Sequence, residues 1–127
     1  MILSTPLLCL AAAIYFEAGN QSVDGKYAVG QVVINRVKSP HFPGTVCGVV
    51  KQHKQFSFYW DGKPEKLPHN KLNRIQWEVS NVVAFSLLNA VVPDETNGAL
   101  FYHTLGVSPN WSAKMRITTR IGRHVFY

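Results

Sequence analysis

Residues 13–22 read AIYFEAGNQS, and the position of Glu17 in this stretch decides how the chain is read. Pro6 can start a helix that runs to about Ala18, with Gly19 and Asn20 as its stop. Residues 7–18 are apolar nearly all round, which marks a helix buried on every side rather than one lying on a surface. Glu17 shares a face with Leu10, Ala13 and Ile14, while its neighbours one turn on, Asn20 and Gln21, are neutral. No Lys or Arg lies in this helix; the first basic residue of the chain is Lys26. A lone carboxylate in such a setting must find a distant partner, reach solvent at the helix end, or stay protonated. Arg36 and Arg74 are the candidate partners. The protonated state is the one a general acid needs.

Around this helix, 127 residues suit one domain, 1–127, with a single core. A hydrophobic content of 46% and a charged content of 16% fit a folded globular chain and exclude a disordered one. Thirteen Lys and Arg against seven Asp and Glu give a formal charge of +6, which favours polyanionic partners. The basic residues are dispersed rather than clustered, which argues against nucleic acid. The apolar start, MILSTPLLCLAAA, has no basic segment before it, and cleavage after Ala13 would cut the predicted helix. It is therefore read as part of the folded protein. No apolar run reaches the roughly 20 residues needed to span a bilayer, so no stable membrane insertion is expected. Cys9 and Cys47 are too few for a disulfide framework and sit in apolar surroundings, where packing as small hydrophobes is expected.

A second helix follows Ser22 or Asp24 as cap and ends before Ser39-Pro40. Thr45 caps a short third helix through VCGVVKQH, residues 46–53. QFSFYW, residues 55–60, has strand composition, and residues 61–70 form a loop. A long amphipathic helix runs from about Leu72 to Asn89, with Ile75, Val79, Val82, Val83 and Leu87 on one side. ALFYH, MRITTR and GRHVFY read as short strands, the last two as a hairpin. Helices first and a small antiparallel sheet last make the fold class α+β. On the mostly apolar second helix, Gln31 or Asn35 should bond buried backbone.

The ordered pieces AIYFEA, GQVVINRV (30–37), FPGTVCGVV (42–50), QFSF (55–58), DETNGALFYH (94–103), PNW (109–111) and IGRHVFY (121–127) resemble the SleB-type cell-wall hydrolases. These include spore cortex-lytic enzymes and small phage lysins. The resemblance covers nearly the whole chain. It implies a lysozyme-like, resuscitation-factor-like single domain that cuts peptidoglycan between N-acetylmuramic acid and N-acetylglucosamine, with Glu17 as the catalytic acid and no metal or cofactor. One departure stands out. The family pattern commonly continues after the acid as Ala-Arg-Gly-Glu, where this chain has Ala18-Gly19-Asn20-Gln21. The arginine and the second acid are both missing.

Two carboxylates usually share glycoside cleavage, about 5–5.5 Å apart for retention and about 6.5–9.5 Å for inversion. The other acids are Asp24, Asp61, Glu65, Glu78, Asp94 and Glu95; of these, Asp61 and Asp94 flank the resembling segments. A one-acid route fits better, giving a lytic transglycosylase with a 1,6-anhydro product; a muramidase using water is the alternative. Gln55, Ser57, Tyr102, His103 and Trp111 are expected to line the glycan groove. Phe56, Phe58 and Phe126 are expected in the core, and His124 as either structural or part of the site. The rival readings are a Cys–His peptidase built on Cys47 with His103 or His124, and a basic, non-catalytic wall-binding module. A zinc amidase is disfavoured, because the histidines at 41, 53, 69, 103 and 124 lack ligand spacing. The expected partner is peptidoglycan and the expected state a monomer. We expect a phage endolysin or a related bacterial hydrolase, made in the cytoplasm (for a phage, of the infected bacterium) and released to the periplasm and wall through another protein's membrane lesion.

Overall fold

A computed structural model describes residues 5–52 and 71–127, with 71–73 as backbone only. Helix α1 (Pro6–Ala18) begins as the sequence dictates: Thr5 caps it by accepting from the Leu8 N–H, and Pro6 occupies the first turn. Residues Cys9 to Ile14 of α1 are buried and form the axis of the main core. Helices α2 (Val23–Lys38), α3 (Val46–Gln52) and α4 (Lys71–Asn89) all pack against α1. Ser22 is the cap of α2, through the Gly25 N–H, and Thr45 caps α3 through the Gly48 N–H.

Helix α2 joins two cores. Its Val33 packs into the α1 cluster, while Ala28 and Val32 meet Ala99 and Phe126 in a second cluster beneath the sheet. Strands β1 (Tyr102–Thr104), β2 (Thr119–Ile121) and β3 (His124–Phe126) form an antiparallel sheet in the order β1-β3-β2. Tyr102 lies opposite Phe126, and Thr119 also pairs with Phe126 from the other side. The central place of β3 explains why all three of its residues are buried. Gly122, at φ 57°, supplies the left-handed turn between β2 and β3, so the predicted hairpin exists.

Two sequence expectations are corrected. Cys9 and Cys47 do not pack as independent hydrophobes; they form a disulfide that ties α1 to α3. Their 38-residue separation hides this in the sequence, and only the packing of α3 on α1 brings them together. The buried face of α4 is only partly the expected one: Val79, Val83 and Leu87 pack on the main core, as expected. Val82 and Ile75 are exposed, at 64% and 47%, whereas Ser80, Val83 and Ala84 are buried. A serine can take that face because its hydroxyl donates to the Gln76 carbonyl of its own helix, at 2.8 Å, and so goes in without an unpaired group. The segment containing Gln55 and Ser57, with Phe56, Phe58, Asp61 and Glu65, lies outside the described residues. Among the described residues no helix is long and apolar enough to cross a membrane.

Candidate active site

Glu17 lies in the last turn of α1, where the all-apolar helix gives way to a polar turn. The buried Lys26 locks that turn. Its ammonium donates to the carbonyls of Gly19, at 3.0 Å, and Gln21, at 2.6 Å, and so supplies the cation that the end of α1 lacks. The Gln21 side chain reaches across to the hairpin and accepts from the Arg123 N–H at 3.3 Å. The amide standing where the family pattern has its second acid is therefore a brace between the α1–α2 turn and the sheet.

From the sheet side, Tyr102 on β1 donates its hydroxyl to Glu17 Oε1 at 2.8 Å. Arg36 of α2 is the nearby cation. Its Nε donates to the Leu100 carbonyl at 2.7 Å, and its guanidinium lies over the rings of Phe42 and Phe101, at 4.9 and 5.4 Å. Burial raises the Glu17 carboxyl above the ordinary glutamate range; the Tyr102 bond and the Arg36 charge pull the other way and do not cancel it. Burial and the neighbouring Glu17 push the Tyr102 phenol well above its ordinary value, so it stays a donor. The site thus favours the protonated acid while keeping a cation and a hydroxyl in place for the carboxylate that forms when the proton leaves.

Two clefts open onto Glu17. One, of about 340 Å³, runs along Tyr15, Phe16, Gly19, Asn20, Gln21 and Gln76. The other, of about 320 Å³, is lined by Tyr102, His103, Thr104, Val107, Pro109, Trp111 and His124. Glu17 stands where the two meet. A cavity of about 510 Å³ lies away from it, between Asp24, Tyr27, Glu95 and the outer strand β2; it contains none of the groups just described.

Of the residues expected to line a groove, Tyr102, His103 and Trp111 come together in one cleft with Glu17. His103 is held from both sides. One ring nitrogen, Nδ1, donates to the Thr104 carbonyl at 2.8 Å, so Nε2 accepts from the Tyr127 hydroxyl at 2.7 Å when the ring is neutral. Trp111 rests edge-on against Tyr127 and His103, with a third of its surface still open. His124 lies at the back of this cleft, its ring edge-on to Tyr102. Burial and the neighbouring His103 lower its pKa, so it is neutral. Arg36 escaped the sequence reading as a site residue, although it was weighed as a partner for Glu17. Its signal was there: a charge on a mostly apolar helix.

Asp94, weighed as a second acid, is otherwise engaged. It accepts from the Thr96 N–H and hydroxyl, from the Gly98 N–H and from the Asn35 amide. Asn35 also donates to the Ala99 carbonyl, as expected of one polar residue on α2. Among the described residues no second carboxylate lines either cleft at Glu17. The disulfide leaves no free thiol, so Cys47 cannot serve as a peptidase nucleophile in this form. Among the described residues there is also no cluster of His, Cys, Asp and Glu fit to hold a metal.

A helical core with a small antiparallel sheet and, at the junction of two clefts, an acid whose pKa is raised by burial defines a lysozyme-like domain. The chain belongs to the cell wall hydrolase family, whose model matches residues 20–127, beginning just after Glu17. It is 30% identical to the spore cortex-lytic enzyme of Bacillus subtilis over 117 residues, 92% of this chain and 35% of the relative. The spore cortex-lytic enzyme of Halalkalibacterium halodurans is similarly 30% identical, over 92% of this chain and 33% of its own length. This chain thus spans about a third of these relatives. Among solved structures, the catalytic domain of the germination-specific lytic transglycosylase SleB from Bacillus anthracis matches with a TM-score of 0.75 at 28% identity, covering 95% of this chain and 92% of that one. The catalytic domain of the Bacillus cereus SleB protein matches with a TM-score of 0.66 at 27% identity, covering 95% and 88%.

Proposed function

We propose that this chain is a peptidoglycan lytic transglycosylase in which Glu17 is both the acid and the base. The observation that carries the reading is the Glu17 carboxyl, raised toward its protonated form by burial, at the point where two clefts meet that no second carboxylate lines among the described residues. A glycan strand lying along both clefts would present its scissile oxygen to that carboxyl.

Oε1 accepts from Tyr102, so the transferable proton belongs on Oε2. Glu17 gives this proton to the glycosidic oxygen as the bond to the muramic C1 breaks. The carboxylate left behind is stabilised by the Tyr102 hydroxyl and the Arg36 charge. The muramic C6 hydroxyl then attacks C1, and Glu17 takes the hydroxyl proton. A 1,6-anhydro end forms, no water is consumed, and the acid is regenerated. Trp111 offers an open aromatic face for a sugar ring in the same cleft. The comparisons support this reading through the names of the relatives: spore cortex-lytic enzyme and lytic transglycosylase.

Hydrolysis of the same bond by water is the alternative, and Asp94, weighed as a second carboxylate for it, is committed to its own loop. The formal charge of +6 suits an anionic wall as substrate. A disulfide persists in an oxidising compartment, which supports action outside the cytoplasm; release of a monomer to the wall of a phage-infected cell is part of the same proposal.

Mass spectrometry of purified peptidoglycan digested by the protein, beside Glu17→Gln, tests the reading. Anhydro-muramic ends that vanish in the variant are expected. Reducing muramic ends would replace the transglycosylase by a muramidase, and equal activity in the variant would remove Glu17 from the chemistry.

A further inference from the structure

Trp111, the open aromatic face of the Glu17 cleft, sits on a segment with little hold of its own. The 3-10 helix that carries it, Asn110–Lys114, buries none of its residues, and its cap, Pro109, makes no side-chain bond. Among the described residues the hydrogen bonds of this segment stay inside it. The Ser112 N–H and hydroxyl both donate to the Pro109 carbonyl, and the Met115 N–H donates to the Ser112 carbonyl. Three rings hold the indole instead: Phe101, His103 and Tyr127, with centres 5.4, 5.8 and 5.2 Å from it. Tyr127 is the anchored member, since it is buried and exchanges two backbone bonds with Phe101. Its hydroxyl donates to His103 Nε2 at 2.7 Å, while His103 Nδ1 donates to the Thr104 carbonyl at 2.8 Å. Both nitrogens of His103 are thus used within the protein, and the ring cannot turn without breaking a bond.

We propose that Tyr127 and His103 are positioning residues for sugar binding: the Tyr127 hydroxyl locks the His103 ring, and the two rings together seat the Trp111 indole on which a sugar stacks beside Glu17. This rests on the glycan-cleaving reading above and changes the expected role of His103 within it. His103 lines the cleft but gives no nitrogen to the glycan. Tyr127, 9% exposed, stands behind the cleft wall and acts through the rings in front of it. An indole already held in place loses less freedom when a sugar stacks on it, so seating it beforehand strengthens binding.

The test uses the Glu17→Gln protein, which leaves glycan uncut, and a tetrasaccharide of alternating N-acetylglucosamine and N-acetylmuramic acid. The dissociation constant is measured for Glu17→Gln alone, with Tyr127→Phe added, with Trp111→Ala added, and with both. Tyr127→Phe should weaken binding about fivefold, the scale of one hydrogen bond, and should weaken it no further in the Trp111→Ala background. Unchanged affinity in Tyr127→Phe, or an equal loss with and without Trp111, would overturn this proposal alone. Unchanged affinity in Trp111→Ala would overturn the stacking platform and this proposal, leaving the Glu17 chemistry in place. No binding by the Glu17→Gln protein would overturn the glycan reading and this proposal with it. Histidine ¹⁵N spectra give a second readout that needs no further variant. Neutral His103 should show one tautomer, protonated at Nδ1, both before and after saturation with the tetrasaccharide. A change of tautomer on binding would mean that the sugar takes one of its nitrogens, and would overturn the proposal. In Tyr127→Phe the preference for that tautomer should relax, which a purely structural role of the hydroxyl elsewhere would not produce.

Discussion

Tyr102 and Glu17 are 85 residues apart in the chain and 2.8 Å apart in space, with the phenol donating to Oε1 of the acid. This bond stabilises the ionised carboxylate and so opposes the burial that raises the Glu17 pKa. Tyr102→Phe removes the opposition, so the Glu17 pKa rises further. In the proposed mechanism the active form is the protonated one, and activity is lost as pH rises through that pKa. The basic limb of kcat/KM against pH should therefore move to higher pH in Tyr102→Phe. A limb that stays in place or moves down would show that Tyr102 does not act on Glu17.

The same raised pKa makes Glu17 a burden on stability at neutral pH. A group whose folded pKa lies above its unfolded value contributes stability at low pH and loses it as pH rises through the folded value. Glu17→Gln should thus melt higher than the parent near pH 7, with the gap closing below the ordinary glutamate range. Calorimetry across that span checks the sign, and a variant that melts lower at neutral pH contradicts it.

Asp94 behaves in the opposite sense. Burial pushes its carboxyl up, but bonds from Thr96, Gly98 and Asn35 outweigh this and hold it below the ordinary value. Its contribution is present above the unfolded pKa and fades as pH falls through the folded one. Asp94→Ala should cost about 1.5–3 kcal/mol at neutral pH, the worth of charge-assisted bonds, and less in acid. Denaturant titration at two pH values separates this from a catalytic role, which would lower turnover and leave stability untouched.

The disulfide closes a loop that holds the end of α1, Glu17 and all of α2. Loop-closure entropy for 38 residues gives it about 4 kcal/mol. Reduction should lower the melting temperature by that scale. Cys47→Ser should match the reduced protein and still cleave glycan below its melt. Lysis abolished in a folded Cys47→Ser protein would revive the thiol mechanism.

Gly30 of α2 leaves room for α1 and α4. A Cβ there would come within 2.5 Å of Leu87 Cδ1 and 2.9 Å of Ile14 Cδ1. Both are side-chain ends that can swing away, so Gly30→Ala should cost about 1–2 kcal/mol rather than prevent folding. A chemical melt reads this directly, and a stabilised variant would mean that the helices part freely there.

Local rules gave the helices their limits. Pro6 with Thr5, Ser22 and Thr45 set three helix starts, because a proline and a hydroxyl satisfy the first turn of a helix without help from the rest of the chain. The apolar run before Glu17 told of burial for a similar reason, since a helix with no polar side has nowhere to lie but inside. The face of α4 misled because a valine outranks a serine on any scale of hydrophobicity, yet Ser80 bonds its own helix and goes in.

From its sequence alone the protein has a greasy helix ending in an acid and a sheet at its far end. Nothing local in AIYFEAGNQS names Tyr102, Arg36 or His124 as its neighbours. Those partners come from packing α2 and the three strands around the end of α1, as do the Cys9–Cys47 bond and the two clefts. A pKa depends on which charges and dipoles lie within a few ångströms, and that distance is fixed by the tertiary fold rather than by chain order.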